Sequence, residues 1–206
     1  MTYDFTRWFI SIDIPRSGCV SRMDTFRRHC PTSATCYEFQ RHMRARQIRQ
    51  QLGPERWEAF FRFAVLRPPH EALESDWRLC HREIAKLTPE SPRILAPRWY
   101  ARLMRVKRHG DFGRFVREEW LENKSIDRGG LWRTWCQGPD SEDLGVTLFR
   151  FDQLREDWLA ICDRIGVPRV ELLHHNRTEP ATVEWPPGLR AEVEEFFAGD
   201  YQLLAT

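Results

Sequence analysis

The sequence predicts an α/β fold: a single domain, residues 1–206, with a central, mainly parallel sheet flanked by helices. Three observations lead there. Short β-prone runs alternate with helical stripes along the chain, the pattern of a sheet wound with helices. Phe63-Ala64-Val65-Leu66 is a continuous apolar run, as a strand buried on both faces requires. Leu73, Trp77, Cys80, Ile84 and Leu87 recur at helical spacing, an amphipathic helix of about four turns.

Taken in order, Trp8-Phe9-Ile10-Ser11-Ile12 is the first β-prone run, and Pro15 and Gly18 end it. A polar stretch through Arg28 and a loop with Pro31, Ser33 and Thr35 follow. Arg41 to Leu52 reads as a helix closed by Gly53. Pro54 suits the first turn of a second helix carrying Trp57, Phe60 and Phe61. The Phe63 run stops at Pro68-Pro69, before the long amphipathic helix. From about Thr88 to Gly110 the chain is rich in Pro and Arg and shows no strand, which marks an insertion or a helical lid. Asp111 caps a shorter helix with Phe112, Phe115, Val116 and Trp120. Val146 to Phe151 is a third strand. Leu154, Trp158, Ile161, Cys162 and Ile165 form a stripe ended by Gly166, and a last helix runs from about Leu189 to Phe197.

The chain has 206 residues, and one this long buries roughly 70% of its unfolded surface. Aromatics at 13%, nine Trp among them, argue against disorder despite 30% charged residues. Basic residues number 32 against 30 acidic, which argues against a nucleic-acid partner, since such binders carry a basic excess or block. Only Lys86, Lys107 and Lys124 are lysines. Base composition explains that skew, and charges interleaved as in Arg117-Glu118-Glu119 suggest solvated faces. Cys19, Cys30, Cys36, Cys80, Cys136 and Cys162 are scattered, without Cys-x-x-Cys or zinc spacing. Asp4, Arg7 and Asp13 interrupt any leader-like apolar run, and no window reaches a membrane span of ~18 apolar residues. The expected setting is a reducing cytoplasm, with no metal and no membrane span.

Open α/β sheets bind ligands at the carboxyl ends of their strands. After the first strand comes Ile14-Pro15-Arg16-Ser17-Gly18-Cys19-Val20-Ser21: a tight Gly turn with one cation and a hydroxyl, then a helix start. Backbone N–H groups at such a start hold an anion and the cation neutralises it. The Walker A pattern is absent. After the second strand stand Arg67-Pro68-Pro69, with Ser75 eight residues past the Arg; an arginine there can grip a phosphate with two N–H groups.

These pieces resemble the sulfotransferase superfamily, specifically the compact family related to carbohydrate sulfotransferases and their bacterial relatives. Its first motif runs like I-P-K-T-G-G-T-S, matched by Ile14, Pro15, Gly18 and Ser21; Arg16 stands at the usual Lys, Cys19 at the second small residue, and Val20 at the usual Thr. Its second runs like F-x-F-V-R-N-P-x-x-R-x-x-S, and Phe61, Phe63, Val65, Arg67, Pro69 and Ser75 fit that register, with Ala72 replacing the inner Arg. Arg41 to Ile48 resembles the family's K-H-x-x-A-x-x-I, Phe149 to Asp157 its R-F-E-x-L-x-x-D, His175-Asn176-Arg177-Thr178 its L-N-K-S turn, and Asp200-Tyr201 its closing D-Y-x-L. No one motif is specific; the ordered set is.

The resemblance implies a P-loop-like strand-loop-helix and 3′-phosphoadenosine 5′-phosphosulfate (PAPS) as donor. It places Pro15, Arg16, Ser17, Gly18, Cys19, Val20 and Ser21 at the 5′-phosphosulfate, Arg67 and Ser75 at the 3′-phosphate, and Arg177 among the donor contacts. Arg16 would stabilise charge on the leaving oxygen. His42, at the family's His position, would be the general base, with Glu38 the fallback. The acceptor would be a hydroxyl of a small molecule, sugar or lipid; a homodimer is left open. Trp132 and Trp135, or Trp99-Tyr100, can stack against a sugar or aromatic ring, or serve only as core. Two alternatives stand beside the enzyme: a non-catalytic nucleotide-binding or interaction module on the same fold, and a small-molecule phosphotransferase. Asp111-Phe112-Gly113 has the letters of the kinase D-F-G without its companions and reads as a helix cap. His174-His175 lacks ligand partners at metal spacing.

Overall fold

The computed structural model describes residues 1–30, 32, 34–35, 42–173 and 183–206. Its frame is one five-stranded sheet in the order β3-β1-β2-β4-β5. The strands are β1 (Thr2–Asp4), β2 (Phe9–Ile12), β3 (Ala34–Thr35), β4 (Phe61–Leu66) and β5 (Thr147–Arg150). The two apolar runs form its parallel centre: Ile12 pairs with Ala64, and Val65 with Phe149. β1 is antiparallel to both β2 and β3, so the sheet is α/β with a parallel half and an antiparallel edge. The sequence showed no run for β1, because a three-residue strand closing a hairpin has no room for a pattern.

The helices are α1 (Cys19–His29), α2 (Ala45–Leu52), α3 (Pro54–Ala59), α4 (Pro69–Ile84), α5 (Ser91–Ile94), α6 (Pro97–His109), α7 (Phe112–Val116), α8 (Leu131–Cys136), α9 (Leu154–Arg164), α10 (Leu189–Phe196) and α11 (Ala198–Ala205). Pro54 sits in the first turn of α3, and Asp111 caps α7 by accepting the Arg114 N–H at 2.8 Å. The helix start expected after Gly18 opens α1, which runs through the polar stretch to His29. Two expectations need correction. α3 stops at Ala59, because Phe61 is drawn into β4 beside Phe9. After α7 the chain widens into a π-helical turn, Arg117–Leu121, that carries Glu119 and Trp120 inward.

Strand alternation divides the core. Phe9, Phe63 and Val65 face Phe26 of α1 and Trp158 and Ile161 of α9. Ile10, Ile12, Ala64 and Leu66 face the opposite layer, with Ile48, Trp57, Leu73, Leu103, Phe115 and Val193. Residues 63–66 are fully buried, as their unbroken apolar run implies. The stretch 88–110 contains α5 and α6, and α6 packs on α4. Five cysteines, Cys19, Cys30, Cys80, Cys136 and Cys162, form no disulfide; Cys36 lies outside the described residues. Among the described residues, no helix is long and apolar enough to cross a membrane.

Candidate functional site

Pairing β2, β4 and β5 side by side brings three sequence-distant strand ends together, and a cleft of about 1590 Å³ opens over them. Its floor is the 15–21 loop. Gly18, midway along that segment, sits at φ 75° and caps α1, and a Cβ there would press within 3.2 Å of the Phe151 ring. Left-handed backbone and close approach together call for glycine. The first turn of α1 carries no carboxylate, so the partial positive charge of its N–H groups faces the cleft unopposed by an acid of its own turn.

Arg16 also adopts a left-handed backbone, φ 66°, at a cost of about 1 kcal/mol. Its guanidinium reaches α4 and donates to the Ser75 hydroxyl at 2.7 Å and the Ser75 carbonyl at 3.1 Å. Burial pushes its pKa down, Asp76 pulls it back up, and Arg67 adds repulsion; the net is downward. Arg67 instead pairs with Glu71 at 3.1 Å and lies 4.5 Å above the Phe151 ring. Ser75 thus meets Arg16 directly, a pairing that strand-end reasoning did not foresee.

His42 lines the cleft from a turn at φ 69°, three residues before α2 begins, and not from the helix expected from Arg41 onward. Its Nδ1–H donates to the Asp13 carbonyl at 2.8 Å, which fixes the tautomer and leaves the lone pair of the neutral ring on Nε2. Trp135 Nε1–H donates to the His42 carbonyl at 3.1 Å. Asp13 itself is buried. Burial raises its carboxyl, and the Met1 amino group with Arg22 more than reverses that, so its pKa lies below the ordinary value.

Of the other residues expected at the site, Pro15, Gly18, Cys19, Val20 and Ser21 line the cleft, as do Arg67 and Ser75. Ser17 is absent from that lining: it is fully buried, and its hydroxyl donates to the Ile14 carbonyl at 2.7 Å, tightening the turn from beneath. Arg177, Glu38 and the His174-His175 pair lie outside the described residues. Trp99 and Trp135 line the cleft, whereas Trp132 and Tyr100 are not part of its wall.

Sequence reasoning missed a charged cluster on the helical side. Asp76, next to Ser75, is buried and accepts both terminal nitrogens of Arg102 and the Trp120 Nε1–H at 3.1 Å. Glu119, expected on a solvated face, is also buried, held by Arg105 at 2.6 Å and His109 at 3.2 Å with Arg102 at 3.4 Å. Burial raises its carboxyl, but the hydrogen bonds from Arg105 and His109 bring it down to about 2. Interleaved charges give no sign of such pairing, because partners 10 to 44 residues away leave no spacing pattern. Among the described residues, no group of three or more His, Cys, Asp or Glu is placed to hold a metal ion. Searches of family models, curated proteins and solved structures find no match to the chain.

Proposed function

We propose that the protein is a sulfotransferase that moves a sulfuryl group from PAPS to an acceptor hydroxyl. One observation carries this: nine residues the resemblance assigns to donor and base, drawn from four separate chain segments, line a single cleft at the strand ends. Residue types match the demand. A helix N-terminus without acids in its first turn and two arginines, Arg16 and Arg67, suit a ligand with phosphates at two ends.

Each role follows from position. The N–H groups of Cys19, Val20 and Ser21 and the Arg16 guanidinium would hold the 5′ end. Arg67, from above Phe151, would hold the 3′-phosphate, and Ser75 would orient Arg16 as well as bind. The acceptor oxygen forms a bond to sulfur while the bond from sulfur to the 5′-phosphate oxygen breaks. The acceptor proton passes to His42 Nε2, and adenosine 3′,5′-bisphosphate leaves. Such in-line transfer depends on positioning and on cations near the leaving oxygen. Arginine at 16 offers a planar fork where an ammonium would be a point charge, so its grip is directional.

The test is calorimetric titration with adenosine 3′,5′-bisphosphate and adenosine 5′-phosphate, followed by assay of bisphosphate release from PAPS across an acceptor panel. Preference for the bisphosphate together with acceptor-dependent release supports the proposal. Binding without release identifies a non-catalytic nucleotide module. Stronger binding of ATP than of either identifies a phosphotransferase.

A further inference from the structure

The helical arm of the cleft is walled by Leu79, Ala96, Trp99, Trp120, Ile126 and Trp135. Polar side chains stand among them, but their hydrogen-bonding capacity is already turned inward. Asp76 is taken by Arg102 and Trp120, and Glu119 by Arg102, Arg105 and His109. Asn123 donates to the Glu119 carbonyl at 3.0 Å, and its oxygen accepts both the N–H and the hydroxyl of Ser125. Two of the three indole N–H groups are engaged as well, Trp120 with Asp76 and Trp135 with the His42 carbonyl.

The arm also touches both ends of the proposed chemistry. Asp76 follows Ser75, which holds Arg16, and Trp135 is bonded to His42. A hydroxyl between Arg16 and His42 would therefore carry its body against indole and aliphatic surface. A polyhydroxylated body would lose water there without gaining partners. An apolar ring would bury against matching faces. The charges of the arm cancel locally, so nothing in it selects an ionic acceptor.

The geometry points to an apolar, ring-bearing alcohol of the phenol class as the acceptor, not a sugar. This rests on the sulfuryl-transfer proposal for the chemistry but on the arm alone for binding, so the two can fail separately.

The experiment is calorimetric titration with 2-naphthol and with methyl β-glucoside, each with and without adenosine 3′,5′-bisphosphate, on wild type, Trp99→Ala and Leu79→Asp. Trp99 and Leu79 are partly exposed, so neither change empties the core, and urea midpoints verify folding. The expected result is 2-naphthol binding, no glucoside binding at a hundredfold higher concentration, and about a tenfold loss of naphthol affinity in each variant. Should Leu79→Asp fail to fold, Trp99→Ala carries the comparison. Glucoside binding equal to or tighter than naphthol overturns the inference, as does naphthol affinity unchanged in the folded variants. Bisphosphate binding with no naphthol binding overturns it too, while the donor proposal survives. Naphthol binding that the variants weaken, without bisphosphate binding, upholds the apolar arm and removes the donor proposal.

Discussion

At the strand-end half of the cleft, Arg16 is held by the neutral Ser75 and Arg67 by the half-exposed Glu71. In the helical half, the buried Asp76 and Glu119 meet Arg102, Arg105 and His109. A cation held loosely can exchange its partner for a ligand phosphate at small cost. A carboxylate buried with its partners cannot leave them without stranding a charge. The same residue types thus serve binding in one half and architecture in the other. Substitutions should therefore separate: function without stability on the strand-end side, stability without nucleotide affinity on the helical side.

The largest expected effect tests the chemistry at the junction of the halves. His42→Ala should lower turnover about 10²–10⁴-fold with an acceptor that ionises poorly, and leave adenosine 3′,5′-bisphosphate affinity nearly unchanged. A readily ionised phenol should feel the loss least. Unchanged turnover with a high-pKa acceptor would place the base elsewhere, and Glu38 would be the next residue to remove.

Next comes stability of the helical half. Asp76→Ala takes from Arg102 the partner of both its terminal nitrogens, leaving it only Glu119 at 3.4 Å, and strands the Trp120 N–H, and should cost about 3 kcal/mol or more in urea unfolding. The sign of the pH dependence follows from Glu119, held near 2 in the fold against 4.5 unperturbed. Its contribution is complete above about pH 4.5 and is lost as pH falls from there toward 2. Glu119→Gln should remove that part of the acid slope. An identical slope in both proteins would mean that the pairing contributes nothing.

Arg67→Ala probes the opposite half at smaller magnitude. Losing one charge-assisted contact, worth about 1.5–3 kcal/mol, should weaken adenosine 3′,5′-bisphosphate about ten- to a hundredfold. Adenosine 5′-phosphate should scarcely notice, and the urea midpoint should hold, because the pair with Glu71 is partly solvated. Equal losses for both nucleotides would assign Arg67 another role.

What the sequence made legible follows the same division. The strand-end half is local: β2 and β4 announce themselves as apolar runs, the turn as Pro15 and Gly18, the cation as Arg16, and each sits within a few residues of its strand. The helical half is assembled from α4, α6 and the π-helical turn. Glu119 points inward from that turn, and nothing in Arg117-Glu118-Glu119 foretells it. Short elements were equally hidden. The six residues of α8 depend on Asp200, some seventy positions away, whose carboxylate accepts the Leu131 and Trp132 N–H groups. Burial raises that carboxyl to about 7 against those two bonds.

The smallest expected effect is the finest cut at the comparison. Trp120→Phe keeps most of the ring and removes one N–H, the 3.1 Å donor to Asp76. Arg102 still pairs with both oxygens of that carboxylate, so the loss should fall at the low end for a bond to a charged acceptor, about 1.5 kcal/mol. It should appear in the urea midpoint with an unchanged slope, since the surface exposed on unfolding is the same. Affinity for adenosine 3′,5′-bisphosphate should stay where it is. A drop in that affinity would show that Asp76 communicates with Arg16 through Ser75, one position away on α4, and that the two halves are one electrostatic unit. A stable protein with unaltered midpoint would mean that Arg102 alone satisfies Asp76, and that the indole is present for its face alone.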